Sequence, residues 1–310
     1  MGTYQTKVDT GVDMGSLDGK IAIVTGAGQG VGRCHAEFLA GEGATVVVND
    51  ITDSADEVVA AIISAGGKAS AHKGSVADWS ACEALVNGTI NTYGDLDILV
   101  NNAGLVRDNM IFSMTEEQWD IVIDVHLKGH FACSHFAAMH WRNQAKQAAE
   151  GVALKSRKIV NTTSESGLFG GTAQSNYAAA KGGIITMTVV HARELGKYNV
   201  HVNCIAPRAR TPMTQAMPMF AKPETGWDKY DPTHISPMVA WLASADSDGV
   251  NGQVFIVTGD EIHRIQQHHV ATSVYANKKQ WTLAEITANK SVLFAGMDSL
   301  DVAPFGSPQM

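Results

Sequence analysis

Lys20 to Gly32 reads KIAIVTGAGQGVG. A β-branched apolar run passes straight into a turn in which glycines 26, 30 and 32 are spaced GxxxGxG, and the turn opens a helix. Glycines let the backbone turn tightly and approach an anion, which then rests on the positive end of the helix. A glycine-rich turn alone is weak evidence. Between a buried strand and a helix it predicts a phosphate-binding turn at the first strand of a parallel sheet.

The same rhythm repeats outward from this stretch. KIAIVTG, TVVVND, KASAHK, LDILVNNAG, KIVNTTS, HVNCIAP and QVFIVTG alternate with alanine-rich helical stretches. Several are apolar almost throughout, as strands covered on both faces must be. The pattern predicts an α/β fold, one doubly wound domain with a seven-stranded parallel sheet, whose ligands bind at the carboxyl ends of the strands. The expected boundaries are a flexible N-terminal tail (1–16), a domain (17–259) and a C-terminal extension (260–310).

Composition excludes several classes. The chain has 310 residues, 45% of them apolar, and a net charge of −8. With Lys and Arg outnumbered and forming no run, a nucleic-acid partner is not expected. Cys34, Cys82, Cys133 and Cys204 lie far apart without a CxxC spacing, so neither a zinc site nor a disulfide framework is implied. No apolar run approaches the roughly 18 residues of a membrane span, and no signal peptide opens the chain. A cytoplasmic protein is expected. MGTYQT matches the myristoylation pattern and is read as a chance match.

Two further sites carry chemistry. VVVND places Asp50 about 20 residues past the glycines, where a carboxylate accepts hydrogen bonds from ribose hydroxyls of NAD and repels the extra phosphate of NADP. No basic residue lies in the turn or just after Asp50, and Arg33 follows the last glycine. NAD is therefore the expected cofactor. In YAAAK, Tyr177 and Lys181 share a helix face, with Cβ atoms about 5–6 Å apart. A phenol of ordinary pKa ~10 next to an ammonium and a positively charged nicotinamide is expected to move down towards the range of general acid/base catalysis.

The glycine turn, the NNAG of Asn101 to Gly104, Ser164 and the YxxxK of Tyr177 and Lys181 together resemble the short-chain dehydrogenase/reductase family, over about Leu17 to Gly259. The resemblance implies a Rossmann-like domain that transfers hydride between a nicotinamide and a carbonyl or alcohol. Tyr177 is then the acid/base, Lys181 lowers its pKa and binds the nicotinamide ribose, and Ser164 orients the substrate oxygen. The cofactor residues implied are Gly26, Gln29, Gly30, Val31, Gly32, Asp50, Ser75, Val76, Asn102, Ala103, Gly104, Tyr177, Lys181, Pro207 and Thr211.

The chain departs from the family pattern in three places. VHLKG puts His126 where the family carries a catalytic asparagine, whose main-chain carbonyl supports a water relay to the lysine. Pro207-Arg208 replaces Pro-Gly, and Ser75-Val76 replaces Asp-Val. His126 and His130 have the spacing of a metal pair, but no third ligand pattern accompanies them, and no metal is expected.

The methionine-rich PMTQAMPMFAKPETGWDKY is expected to form a wall over an apolar substrate. VVVNDI, VHLKGHF and WTLAEITANK are similar to the subfamily of (3R)-hydroxyacyl-CoA dehydrogenase domains of multifunctional enzymes type 2 and bacterial steroid- and acyl-CoA-handling relatives. Their peroxisomal address is not seen in the terminal SPQM. The expected substrate is thus a 3-hydroxyacyl-CoA or hydroxysteroid, with a homodimer or homotetramer as the assembly. A 3-oxoacyl carrier-protein reductase and a catalytically silent dinucleotide-binding protein are the alternatives. In the extension, Thr282 and Glu285 form a capping box that predicts a helix over 280–296 packed against the body, near the substrate.

Overall fold

A computed structural model describes residues 15–215, 217–266, 268–276 and 280–296. Most of the expected N-terminal tail, the MGTYQT match and the terminal SPQM lie outside the described residues. The chain divides into two compact units, Met1–Ile265 and Gln266–Met310.

The first unit is built on one sheet. Its strands are β1 (Ile21–Thr25), β2 (Thr45–Asp50), β3 (Lys68–Lys73), β4 (Ile98–Asn101), β5 (Arg157–Thr162), β6 (Val200–Pro207), β7 (Val254–Thr258) and β8 (Glu261–Ile265). They run in the order β3-β2-β1-β4-β5-β6-β7-β8. β1 to β7 pair in parallel, as expected. The order reverses between β1 and β4, which opens the crevice where doubly wound sheets bind ligands.

β8 was not expected. It folds back antiparallel on β7, with Thr258 opposite Glu261, and so moves 261–265 from the extension into the sheet. As an edge strand it is covered on fewer sides, and EIHRI is largely polar for that reason.

The helices are α1 (Gly30–Gly41), α2 (Ser54–Ser64), α3 (Trp79–Tyr93), α4 (Glu116–Ile123), α5 (Gly129–Gln147), α6 (Glu165–Phe169), α7 (Ser175–Leu195) and α8 (Ser236–Ala243). Alternate strand residues feed two separate cores, which is why the strands are apolar throughout. Ala22, Val24, Val46 and Val48 pack with Leu39, Val58 and Leu242 of α1, α2 and α8. Ile23, Val47, Leu99 and Ile159 pack with Leu85, Phe136 and Leu195 of α3, α5 and α7. Among the described residues no helix is long and apolar enough to cross a membrane.

In the second unit the expected capping box is present. Thr282 Oγ1 accepts from the Glu285 amide at 3.2 Å, while Glu285 Oε2 accepts from the Thr282 amide at 3.0 Å. The helix it starts, α9 (Leu283–Ala288), stops at Asn289 and is followed by α10 (Lys290–Leu293). Two short helices thus replace the single expected one. The Asn289 side chain donates to the Glu285 carbonyl at 2.8 Å, a local bond that competes with helix continuation.

Candidate active site

The carboxyl ends of the strands surround a cleft of about 390 Å³. Every residue named above as catalytic or cofactor-binding lines it.

At one end lies the glycine turn. Gly26 and Gly30 adopt left-handed φ values of 60° and 57°, which glycine reaches without strain. A Cβ on Gly32 would stand 2.2 Å from the Gly26 carbonyl oxygen, so the close approach there needs glycine. Thr25 Oγ1 accepts from the amides of Asn102 and Ala103 at 3.0 and 3.1 Å, and Asn102 Nδ2 donates to the Thr25 and Gly26 carbonyls. The Asn102–Gly104 turn is thereby fastened to the glycine turn. The N-cap of α1, Gln29, makes no side-chain capping bond, and the first turn holds no acidic residue. That leaves an electropositive helix end facing the cleft, which suits a pyrophosphate.

Asp50 sits beside this turn. Its Oδ2 accepts from the Gly28 amide at 3.0 Å, and its Oδ1 accepts from the Thr52 amide and hydroxyl at 3.1 and 2.9 Å. Oδ2 keeps a free acceptor position, since a carboxylate oxygen can take about two hydrogen bonds. The basic residues of the flanking elements are engaged elsewhere, Arg33 with Glu37, and Lys73 with Asp53 and Asp56. Ser75 and Val76 follow β3, whose exit is held by Asn49 Nδ2 donating to the Gly74 carbonyl at 3.0 Å.

At the other end, Ser164 caps α6, its Oγ accepting from the Ser166 amide at 3.2 Å, and it lines the cleft together with Tyr177. Lys181 is buried. Its ammonium donates to the Thr162 carbonyl at 2.6 Å and lies 5.6 Å from the centroid of the Tyr177 ring. Thr162 was not singled out from the sequence, because what it contributes is a backbone oxygen that any residue type could supply.

The protein groups alone, without the charge of a nicotinamide, move the tyrosine upward. Burial pushes Tyr177 up to about 12, against the smaller lowering effect of Ser164. Burial also pulls Lys181 down to about 7. Desolvation acts on both groups at once, and it outweighs an ammonium that points at the Thr162 carbonyl instead of the phenol oxygen.

His126 lies in a π-turn, Asp124–Lys128, and is 1% exposed. Its ring stands edge-on to Tyr177, with centroids 5.2 Å apart. Nε2 lies 2.7 Å from the Leu105 carbonyl and 3.1 Å from the Leu105 amide, while Nδ1 has no protein partner. Burial holds the ring well below its ordinary pKa, so it is neutral. The His126 carbonyl, to which the resemblance assigns the water relay, accepts from the Gly129 amide. Among the described residues no cluster of three or more His, Cys, Asp or Glu could hold a metal.

Pro207 ends β6 in the cleft wall. The Arg208 amide donates to the Val257 carbonyl at 2.9 Å and extends the β6–β7 pairing. Beyond it, Thr211, Pro212, Met213 and Thr214 line the cleft, and Met213, Met217, Met219 and Trp227 are exposed. Arg210 closes the base of this segment by pairing with Asp228 and donating to the Phe220 carbonyl at 3.2 Å.

Comparison with known proteins agrees with this arrangement. The short chain dehydrogenase family model matches residues 20–220. Hydroxyacyl-CoA dehydrogenase ChsB1 of Mycobacterium tuberculosis is 45% identical over 291 residues, 91% of this chain and 90% of that protein. The peroxisomal multifunctional enzyme type 2 of Mus musculus is 36% identical, covering 85% of this chain and 35% of the much longer enzyme. The 3-oxoacyl-[acyl-carrier-protein] reductase of Thermotoga maritima is 36% identical over 78% of this chain and 98% of its own length. A short chain dehydrogenase structure from Mycobacterium avium superposes with a TM-score of 0.82 at 42% identity, covering 90% of this chain and 96% of that one. The chain belongs to the short-chain dehydrogenase/reductase family, oxidoreductases that act on hydroxyl groups of small molecules with a nicotinamide dinucleotide.

Proposed function

We propose that the protein is an NAD-dependent dehydrogenase that interconverts the hydroxyl and ketone forms of a 3-hydroxyacyl-CoA. The observation that carries this reading is full-length similarity to a hydroxyacyl-CoA dehydrogenase, in a cleft that keeps Ser164, Tyr177 and Lys181 together. A nicotinamide, when bound, supplies or accepts the hydride. Tyr177 Oη takes the hydroxyl proton during oxidation and returns it to the carbonyl oxygen during reduction. Ser164 Oγ holds that same oxygen. Lys181 supplies positive charge behind the phenol, and His126 holds the Leu105 backbone of the cofactor loop.

NAD is favoured because Asp50 would face a 2′-phosphate with the flanking cations already paired. The exposed methionines 213, 217 and 219 suit an apolar chain of variable shape. A hydroxysteroid fits the same wall. The carrier-protein reductase reading draws on the Thermotoga similarity, and Asp50 speaks against its expected NADPH preference. Homo-oligomerisation is proposed through α7, whose neighbour α5 exposes Phe131 and Met139.

The test is a matrix of 3-hydroxyacyl-CoAs of increasing length, hydroxysteroids and 3-oxoacyl carrier protein against both cofactors. Oxidation of acyl-CoAs with NAD preferred by at least roughly tenfold, about 1.4 kcal/mol, is expected. Equal use of NADP, or turnover of the carrier-protein substrate alone, would overturn the reading.

A further inference from the structure

Ser164 is carried by a helix that cannot hold itself. α6 has five residues, far short of the roughly 12–15 an isolated helix needs in water. Its placement therefore depends on what grips it from outside. On one side, Gly167 rests on the lysine helix so closely that a Cβ would stand 2.6 Å from the Lys181 carbonyl carbon. Ser166 Oγ donates to Gln174 Oε1 at 2.7 Å.

Leu168 packs against Ile184, Cys204 and Val254, and a further grip comes from the position where the family pattern carries glycine. Arg208 donates through Nε and Nη2 to the two carboxylate oxygens of Glu165, the residue directly after Ser164. The two side chains are 27% and 16% exposed, so the fork is better shielded than a surface pair. Arg208 is itself anchored by its amide to β7 and follows Pro207 in the cleft wall. Neither Glu165 nor Arg208 lines the cleft. The pair thus ties the end of β5 to the end of β6 from behind the reacting groups.

We propose that the Glu165–Arg208 pair positions Ser164, holding its hydroxyl against Tyr177 on the substrate side of the cleft. This inference rests on the proposed role of Ser164. Loss of the fork frees α6 to shift, and a displacement of about 1 Å at a reacting centre costs up to a hundredfold in rate. Arg208→Lys keeps the charge but cannot restore a two-point grip.

Glu165→Gln, Ser164→Ala and the double variant, assayed with the acyl-CoA substrate and by NADH titration, test it. Glu165→Gln should lower kcat by about ten- to a hundredfold, with NADH affinity unchanged. In the Ser164→Ala background the same change should cost little further, because the pair acts through that hydroxyl. Equal losses in both backgrounds, or no loss in either, overturn the positioning role. Wild-type turnover by Ser164→Ala would instead overturn the functional reading, and the inference with it. Should Glu165→Gln not fold, Glu165→Gln with Arg208→Gln leaves no lone charge and is expected to show the same kcat loss. Full activity of that variant contradicts the proposal.

Discussion

Two clusters of buried polar groups at opposite ends of the central strands are satisfied to different degrees. At the amino ends of β4 and β5, Asp95, Asp97 and Arg157 form a closed network. Arg157 pairs with both carboxylates, and Asp95 also receives Lys155 at 2.9 Å, His140 at 3.0 Å and Gln144 at 3.0 Å. Burial alone would push Asp95 up, yet these bonds hold it well below the usual carboxylate range. At the carboxyl ends, burial wins. Tyr177 is driven up, Lys181 down, and Asn101 Oδ1, His126 Nδ1 and Thr162 Oγ1 lack protein partners. Satisfied buried charges hold a fold together; under-satisfied ones store reactivity.

Substitutions should separate the two ends. Lys181→Met is expected to lower turnover by ~10²–10⁴ and weaken dinucleotide binding, while the protein stays folded. Unchanged turnover would place the essential cation elsewhere. Arg157→Met leaves Asp97, 7% exposed, without its cation and takes one of two cations from Asp95, and should cost about 3–5 kcal/mol of stability. Urea unfolding measures that cost, and kcat per folded molecule should not change. A loss of kcat at full stability would erase the distinction between the ends.

Their pH dependence should differ too. Lys181 binds its proton less tightly folded, at about 7, than unfolded, at its ordinary 10.5. The unfolded chain therefore holds more protons between those values, and stability from this group rises with pH across that window. Tyr177 ionises at 10.0 when unfolded and about 12 when folded, so its contribution falls above pH 10. Asp95, depressed below 3.8, contributes fully above that value and is lost as pH falls further. Lys181→Met should flatten the alkaline rise and leave the acid limb intact. A rise that persists in the variant assigns it to another group. The smallest effect is expected at His126→Asn, within roughly tenfold in kcat, since about one net hydrogen bond to Leu105 is at stake.

Much of this was legible in the sequence. Buried strands, the glycine turn, Asp50 and the Ser164, Tyr177 and Lys181 set are written in residue types that few other contexts require. What escaped depends on three-dimensional placement. The polar edge strand EIHRI looked like tail. The π-turn at Asp124–Lys128, which carries His126, has no signature in residue types. In the sequence Arg208 is only a missing glycine; its pairing with Glu165, beside Ser164, exists only in the folded chain. Charges can be counted along a chain, but desolvation cannot, so the upward push of burial on Tyr177 is not legible in the sequence.

The central claim is that the Tyr177 hydroxyl carries the proton of the hydride transfer. Single-turnover oxidation of a 3-hydroxyacyl-CoA by Tyr177→Phe, with NADH affinity measured on the same sample, tests it most directly. The expected result is a rate lower by ~10²–10⁴ with NADH binding unchanged, because the lost group serves the proton and not the dinucleotide. A variant that turns over within a few-fold of the wild type would show that the acid/base lies elsewhere in the cleft.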